Sequence, residues 1–496
     1  MTDWAKVIGI ISLHTALLLL RRPLVVKSRA QLWDWGQADL GQLVDYTVAL
    51  PQEVARLRDA AAQDSHNSSR PPATDRAETP KPKSLRRKSG RRSGGQPGHP
   101  GHTLQFCDQP QHLQIHPLQE CACGEDLSRE PALDFARRQV FDLPSLRLEC
   151  TEHRAEIKEC PNCGLTQQAP FPAELKAPVQ YGKNFRAWLA YLYDAQGGAS
   201  LRIRQMSLEM FGFAVSEATL QQARQEQYEA LEPFENRLRE LLPQEKVLHA
   251  DETSVPINQV NHWLHGLCTP LLTLLSIQPD RSQAAIGASG ILANFTGWLR
   301  HDFLAGYLGF TNCLHTFCKS HLLRELVFLY EPHQQLWAKD LHDLFLAMRQ
   351  CIKDHKARAA PLTQRQLDQW YQQYRSLLRV GRQANPRSPE QRAKKRPKQT
   401  KEQNLLDRLE KTEHCILAFL WNWDLPFTNN QAERDLRNLK TRIKISGCFR
   451  TLAGAQRHVR IRSYISTPRK HGLPVLEHLR RALDGNPFLP VGSQST

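Results

Sequence analysis

The order of regular elements in residues 245–302 limits the fold of this chain more than any other feature. Strand-like patterns occur in "EKVLHADETSV", "HWLHGLC" and "LLTLLSIQ", a helical pattern covers about residues 281–293, and "TGWLRHD" predicts a fourth strand. Three strands, a helix and a further strand predict an α/β domain built around one sheet. Residues 315–380 are helical in pattern, and helical patterning resumes at about 404–421.

Two aspartates stand at the ends of the first and fourth predicted strands. Asp251 follows the apolar run "VLHA", and Asp302 lies just past "TGWLRH". If these strands are neighbours in the sheet, both carboxylates emerge at the same end, where a third carboxylate on a facing helix can join them. Three carboxylates about 5 Å apart repel by ~3 kcal/mol per pair at an effective dielectric near ~20, so divalent cations must neutralise them. Such oxygen ligands suit Mg²⁺ or Mn²⁺.

The segment "FTNNQAERDLRNLK" supplies the candidate third carboxylate, Glu433. With Asn429 or Asn430 as the N-cap, Glu433 falls in the first turn of a helix. Arg437 and Lys440 follow on the same helix as candidate contacts to DNA phosphates. The alternative is an exposed helical pair between Glu433 and Arg437, worth a few tenths of a kcal/mol.

The chain is strongly basic. Lys and Arg number 66 against 50 Asp and Glu, which gives a formal net charge of +16. This balance favours a polyanionic partner, nucleic acid before a membrane surface. A dense basic run near the C-terminus is interpreted as a DNA contact or, alternatively, as a solvated face: Arg442, Lys444, Arg450, Arg457, Arg460, Arg462, Arg469 and Lys470.

Close cysteine pairs predict a metal module. Two such pairs occur among the 12 cysteines: Cys121 with Cys123, and Cys160 with Cys163. In a long chain this spacing suits zinc better than a disulfide framework and indicates a reducing cytoplasm. Strand-like alternation between the pairs predicts a small β-rich module. The one-residue spacing of the first pair strains a tetrahedral site, so His153 or His116 is an alternative ligand.

Three further patterns leave alternatives open. In residues 183–240, Gly212 at a turn and Ser216 as an N-cap outline a helix-turn-helix, or a short helical hairpin without DNA contact. Cys318 and His321 form either a structural clamp or second zinc site beside the active site, or a packed thiol with a hydrogen-bonded imidazole. The apolar residues 4–20 are shorter than a membrane span, which favours a buried helix or a non-native start of the reading frame over a membrane or signal role.

Several separated stretches together resemble one known family. They are "NSSRPPATD", "GGQPGHPGHT", "ECPNCG", "HADET", "CKSHLLREL", "TNNQAERDLRNLK" and "GCFRTLAGAQRHVRIRSYISTPRKHGLPVLEHL". Over about residues 65–490 the chain resembles bacterial transposases of the insertion sequence sixty-six family, of the aspartate-aspartate-glutamate type. Residues 1–50 do not resemble the usual start of that family.

The resemblance implies a ribonuclease H-like catalytic core with a helical insertion, and it assigns Asp251, Asp302 and Glu433 as the metal-binding triad. It implies cutting and joining of double-stranded DNA at element ends and target, a homo-oligomer on that DNA, accessory proteins of the same element and a nucleoid-associated location in the cytoplasm. No membrane partner is expected. The alternatives are a non-catalytic DNA-binding remnant and a ribonuclease H-like nuclease.

The expected fold class is a multidomain α/β protein with a small zinc-ribbon-like module. Residues 64–103 are rich in Pro, Gly, Ser and basic side chains and are interpreted as a disordered tether. The predicted regions in chain order are an N-terminal helical region (1–63), the basic tether (64–103), the zinc module (104–175), a helix-turn-helix-like DNA-binding region (176–243), the first part of the core (244–312), the helical insertion (313–424) and the glutamate-bearing helix with the basic C-terminal region (425–496).

Overall fold

The computed structural model describes residues 53–54, 56–68, 98, 104–388 and 399–492. The predicted apolar segment 4–20 and nearly all of the predicted tether lie outside these residues. The chain divides into two compact units, one formed by residues 1–82 with Arg324–Leu336 and the other by the rest.

In the first unit, residues 56–62 are helical. Two hydrogen-bonded pairs connect this part of the chain with the segment Arg324–Leu336. His66 Nε2 lies 3.1 Å from Glu331 Oε1, and His333 Nε2 lies 3.2 Å from Asp59 Oδ1. The first unit is therefore held together by contacts between parts of the chain that are far apart in sequence.

The second unit begins with a mostly irregular region followed by helices. A small antiparallel sheet pairs β1 (Ile157–Glu159) with β2 (Thr166–Gln168). The helices that follow are α1 (Lys183–Ala190), α2 (Ser200–Phe211), α3 (Glu217–Ala230) and α4 (Glu232–Leu241), with a π-helical turn at Tyr191–Ala195. Gly212 ends α2 in the left-handed region (φ 77°), and the Ser216 hydroxyl caps α3 by accepting the Thr219 N–H at 3.0 Å. The predicted turn and N-cap are confirmed.

A five-stranded mixed sheet follows. Its strands are β3 (Val247–Ile257), β4 (Val260–Cys268), β5 (Thr273–Gln278), β6 (Trp298–His301) and β7 (Leu314–Phe317), in the order β5-β4-β3-β6-β7. Pairing is antiparallel within β5-β4-β3 and parallel within β3-β6-β7, so β4 alone runs against the others. The connection from β5 to β6 contains α5 (Gln283–Gly287) and α6 (Ile291–Asn294), and α7 (Ala305–Leu308) precedes β7.

The four predicted strands are confirmed, but the helix predicted over about residues 281–293 is two short helices, α5 and α6, and Asp251 lies in the middle of β3 rather than at its end. A further prediction is wrong. The helical interpretation of residues 315–380 does not hold at its start, because Leu314–Phe317 forms β7 and pairs in parallel with β6. Four residues are too few to distinguish a strand from a helix by periodicity, and pairing with a neighbouring strand decides the conformation here.

The remaining elements are helical. They are α8 (Lys319–Tyr330), α9 (Leu336–Ala357), α10 (Gln364–Ala384), α11 (Lys401–Lys411), α12 (Glu413–Leu417), α13 (Asn430–Ser446), α14 (Leu452–Lys470) and α15 (Val475–Leu483). Thr363 and Thr400 start α10 and α11 with capping boxes, in which a glutamine three residues later completes the exchange of hydrogen bonds.

The large sheet separates two clusters of buried apolar side chains. Leu248 and Ala250 of β3 belong to a cluster with Phe234 of α4 and Tyr464 of α14. Other β3 residues, Val255 and Ile257, belong to a second cluster with Leu436 and Leu439 of α13. Because side chains alternate along a strand, even-numbered residues of β3 face the first cluster and odd-numbered residues face α13.

A buried ionic network joins the helices before the sheet to α14. Asp194 accepts two hydrogen bonds from Arg224 at 2.7 and 2.8 Å and one from His458 at 2.6 Å. All three side chains are at most 2% exposed. Burial alone would raise the pKa of Asp194, but the Arg224 charge and the bond to His458 outweigh burial and hold it well below its usual value. The carboxylate therefore stays charged in the core.

Replacing Asp194 with asparagine should lower the free energy of unfolding by ~3–5 kcal/mol, because Arg224 is then buried without a counter-charge. Urea unfolding measures this loss. The matched control is Asp484→Asn, since Asp484 pairs with Lys183 at a site where both side chains are more than a third exposed; it should cost at most ~1 kcal/mol. Equal losses in the two variants would contradict the role of the network.

Candidate active site

Asp251 lies in the middle of β3 on the side of the sheet that faces α13. It is an odd-numbered residue of the strand, like His249, Val255 and Ile257. Its neighbour Glu252 lies on the opposite side, where Tyr307 of α7 donates a hydrogen bond to Glu252 Oε2 at 2.8 Å. The strand thus presents the two adjacent carboxylates to different faces of the sheet.

Asp302 follows the last residue of β6, the parallel neighbour of β3. The ladder pairs Val247 with Trp298 and His249 with Arg300, so residues 51 positions apart lie side by side. The same offset relates Asp251 to Asp302. The ladder itself ends at the His249–Arg300 pair, so Asp302 leaves β6 at the point where the same offset would bring it beside Asp251.

Glu433 lies in the first turn of α13, and its backbone N–H donates to Asn429 O at 3.3 Å. It lies three residues before Leu436, whose side chain packs on the sheet, so both occupy one face of the helix. Within the described residues, Glu433 Oε1 is buried without a hydrogen-bond partner. The alternative of an exposed Glu433–Arg437 pair is not supported by this burial.

A glycine allows α13 to approach the sheet beside Asp251. Gly266 of β4 is the cross-strand partner of Asp251. A Cβ atom at this position would lie 3.2 Å from Leu436 Cδ2, closer than ordinary van der Waals contact. The helix that carries Glu433 can therefore pack closely over this part of the sheet.

The carboxylates influence one another electrostatically. Burial raises the pKa of Asp251 to about 7, and the charges of Glu252, Asp302 and Glu433 add to the rise while His321 opposes it. Burial and the Asp302 charge likewise raise the pKa of Glu252 to about 7, against the hydrogen bond from Tyr307. A divalent cation bound by Asp251, Asp302 and Glu433 would favour their ionised forms, and carboxylate oxygens are ligands that suit Mg²⁺ or Mn²⁺.

Asn429, the residue before α13, bonds to β3 and to the start of α8. Its Nδ2 donates to Ala250 O at 2.8 Å, and its Oδ1 lies 2.8 Å from His249 Nδ1. The backbone N–H of Asn429 donates to Cys318 Sγ at 3.2 Å. Burial lowers the pKa of His249 to about 4 against the bond to Asn429, so the imidazole is neutral at neutral pH and its Nδ1 carries the proton.

The two residues before Asn429, Phe427 and Thr428, also accept hydrogen bonds from buried residues. Arg300 of β6 donates from Nε to Thr428 O at 3.3 Å, and the Lys319 backbone N–H donates to Phe427 O at 3.1 Å. Arg300 and Lys319 are both completely buried. Three consecutive residues ahead of the Glu433 helix are therefore fixed to β3, to β6 and to the residues after β7.

Cys318, His321 and Glu433 place ligand atoms within 4.8 Å of one another. Burial would raise the pKa of the Cys318 thiol, but the hydrogen bond and charge of His321 and the Arg300 charge lower it to about 7. Cys318 and His321 thus interact beside the candidate acidic site, which fits both the clamp and the packed thiol with a hydrogen-bonded imidazole. A soft metal bound by these three groups is also chemically possible.

The two cysteine pairs form similar turns but do not converge. Gly164 N–H donates to Cys160 O and Cys160 N–H to Leu165 O, and the same two bonds join Gly124, Cys121 and Glu125. Both glycines have positive φ, 71° and 94°. In the described chain, the four cysteines do not come within 4.8 Å as one ligand group, nor does such a group include His116 or His153. The four-cysteine zinc site therefore stays a prediction.

Four of the predicted DNA-contacting side chains are exposed: Arg437, Lys440, Lys444 and Arg450. Arg442 is different. It is 7% exposed, donates from Nη2 to Tyr193 OH at 2.6 Å and stacks over the Tyr193 and Phe449 rings. Its prediction as a phosphate contact is wrong, because it follows Leu439 by three residues on the buried face of α13.

Sequence reasoning missed the roles of Asn429, Arg300 and the Glu252–Tyr307 pair. Asn429 was weighed as a helix cap, yet its side chain makes no cap hydrogen bond and turns to β3 instead. A signal was present, since a histidine two residues before Asp251 in an apolar strand requires a polar partner. The sequence alone does not tell which residue provides it.

No helix in the described part of the chain combines the length and apolar character needed to cross a membrane. The fold and site define a mixed α/β protein in which Asp251 lies in the central strand of a five-stranded sheet and Asp302 directly follows the parallel neighbour of that strand. The chain belongs to the Transposase IS66 family, whose model matches residues 178–457, more than half of its length. Residues 27–105 match the model of a family of unknown function (DUF6444). A comparison with curated proteins finds no match.

Family membership identifies the chain as a transposase, which implies DNA as a partner and use of a divalent metal. The matched residues include Asp251, Asp302, Glu433 and the Asn429 contacts. They do not include the two cysteine pairs, which lie between the two matched segments.

Proposed function

We propose that this transposase cleaves DNA at the ends of its element and joins the freed ends to target DNA, with Asp251, Asp302 and Glu433 as the carboxylates that hold two divalent cations. One observation carries the proposal. Asp251 lies in β3 and Asp302 directly follows its parallel neighbour β6, and burial, followed by the charges of Glu252, Asp302 and Glu433, raises the pKa of Asp251.

The sheet topology supports a ribonuclease H-like core. Three strands in antiparallel succession are extended on one side by two parallel strands; Asp251 lies in the central strand, and Asp302 directly follows its parallel neighbour. The helices α9 to α12 then form the insertion between Asp302 and Glu433. This arrangement is the one that the resemblance to the family implies.

The reaction consists of two phosphoryl transfers. In cleavage, a water oxygen attacks the scissile phosphorus and the P–O3′ bond breaks, which leaves a 3′-hydroxyl on the element end. In joining, that 3′-hydroxyl oxygen attacks a target phosphodiester, and a target 3′-hydroxyl departs. When bound, the cations activate the attacking oxygen and stabilise the departing one. The protein's own contribution is to hold the three carboxylates at fixed positions.

The exposed face of α13 is the proposed backbone contact. Arg437, Lys440 and Lys444 extend along the helix from Glu433, and Arg450 follows its end. Cations there can bind phosphates that flank the scissile bond. The α2–turn–α3 pair remains a proposed DNA-binding region, and assembly as a homo-oligomer on DNA with accessory proteins is part of the same proposal.

A zinc site formed by Cys121, Cys123, Cys160 and Cys163 belongs to the proposal. It is supported by the two equivalent turns, in which backbone N–H groups lower the pKa of Cys121 and Cys160 and so favour the thiolate that binds metal. Bringing the two turns together would complete a four-cysteine site.

Asp251→Asn should reduce strand cleavage and joining at least about 100-fold, because metal neutralisation is worth several kcal/mol and each ~1.4 kcal/mol is tenfold. The assay uses DNA carrying the inverted ends that flank the gene, with Mg²⁺ or Mn²⁺. Asp424→Asn, at an exposed carboxylate, is the control and should keep parental activity. Equal activity in Asp251→Asn and the parent would overturn the assignment. Cleavage without joining would indicate a nuclease, and end binding without either reaction would indicate a remnant.

Chelation should release about one zinc ion per chain from the purified protein, since four thiolates complete one tetrahedral site. Metal analysis before and after chelator treatment measures it. Cys160→Ser should abolish the bound zinc, whereas Cys150→Ser, at an exposed cysteine of the same region, should leave it unchanged. Zinc retained in Cys160→Ser would exclude this site.

Alanine at Arg437 or Lys440 should weaken DNA binding and reduce the slope of log affinity against log salt by about 1 for each lost phosphate contact. Arg442→Met provides the contrast, because Arg442 is buried against Tyr193. It should lower thermal stability without changing the slope. If the salt slope is unchanged in both surface variants, the exposed face of α13 does not contact the DNA backbone.

A further inference from the structure

Asn429 is 2% exposed and makes three hydrogen bonds to separate parts of the core just before the helix that carries Glu433. We infer that Asn429 is a positioning residue, which fixes the first turn of α13 so that the Glu433 carboxylate is held at the level of Asp251. This inference rests on the proposed function, in which Glu433 and Asp251 serve the same cation pair.

The side-chain amide suits this task because it offers a donor and an acceptor in one rigid plane. Nδ2 donates a hydrogen bond to Ala250 O, and Oδ1 accepts a hydrogen bond from the Nδ1–H of His249. The amide therefore bonds to two consecutive residues of β3. Aspartate would keep the acceptor and lose the donor, and alanine would lose both. The residue that follows this pair in β3 is Asp251.

The backbone continues the connection to Glu433. Asn429 O accepts the Glu433 N–H one turn later, and Asn429 N–H donates to Cys318 Sγ. The path from the Ala250 carbonyl to the Glu433 backbone therefore passes through one side chain and one helical hydrogen bond. A displacement of Asn429 would move Glu433 relative to Asp251.

Other contacts keep α13 on the sheet when this side chain is altered. Leu436 and Leu439 pack in the apolar cluster, and the Phe427 and Thr428 carbonyls are bonded to Lys319 and Arg300. Loss of the Asn429 amide should therefore change the orientation of the first turn more than the docking of the helix. A changed first turn with the helix still docked would indicate a positioning role, whereas loss of helix docking would indicate a merely structural one.

The experiment is iron-dependent cutting of the polypeptide. Fe²⁺ with ascorbate and peroxide generates hydroxyl radicals that cut the full-length chain next to bound metal, and the fragments are mapped for the parent, Asn429→Ala, Asn429→Asp and Asn430→Ala. Asn430 is an exposed residue of the same type at the next position. DNA affinity, thermal unfolding and the Mn²⁺ dependence of strand cleavage are measured on the same proteins.

The parent and Asn430→Ala should be cut near residues 251, 302 and 433. Both Asn429 variants should lose the cut near 433, keep the one near 251, and show an about 10- to 100-fold lower apparent Mn²⁺ affinity or cleavage rate, with unchanged DNA affinity. If Asn429→Ala does not fold, Asn429→Asp, which preserves the side-chain volume, decides the question.

The outcomes separate the two claims. Equal cutting and equal Mn²⁺ dependence in the parent and the Asn429 variants would overturn the positioning role and leave the proposed function intact. A parent that is cut near 251 and 302 but not near 433 would contradict the proposed triad and with it this inference.

Discussion

The parallel pairing of β3 with β6 is the constraint on which the candidate site depends. A ladder of three residue pairs holds β6 at a fixed offset beside the central strand, and it ends two residues before Asp251 and Asp302. A shift of one residue would turn the side chains of one strand to the other face of the sheet. The apolar side chains Leu248 and Leu299, paired in this ladder and packed in one cluster, make such a shift costly.

Arg300 and Lys319 hold the segment that leads into the Glu433 helix, Arg300 through its buried guanidinium and Lys319 through its backbone N–H. Burial lowers the pKa of Arg300 to about 10 and that of Lys319 well below its usual value, which shows how unfavourable their charged forms are in the core. Both donate to backbone carbonyls, Arg300 to Thr428 O and Lys319 to Phe317 O. Hydrogen bonds are directional, so these donors fix the positions of the carbonyl groups that they contact. Apolar contacts alone would leave those positions less well defined.

Much of the sheet could be predicted because its strands are apolar, 6 to 11 residues long in β3 to β5, and separated by polar turns. The short strand β7 could not, since its four residues owe their conformation to β6. Asp302 does directly follow a strand, whereas the prediction that Asp251 ends its strand is wrong, because β3 continues to Ile257. Arg442 was misassigned because a basic side chain can be stabilised in a core by aromatic rings such as Tyr193, which composition does not reveal.

The separation of the site residues along the chain has a consequence for biosynthesis. Glu433 comes 131 positions after Asp302, and the sheet's apolar clusters also include residues of α14 and α15, up to Ala482. A growing chain therefore presents both aspartates long before the segments that complete their surroundings have left the ribosome. Translation that stops before residue 433 yields a product that contains Asp251 and Asp302 but lacks the proposed third carboxylate.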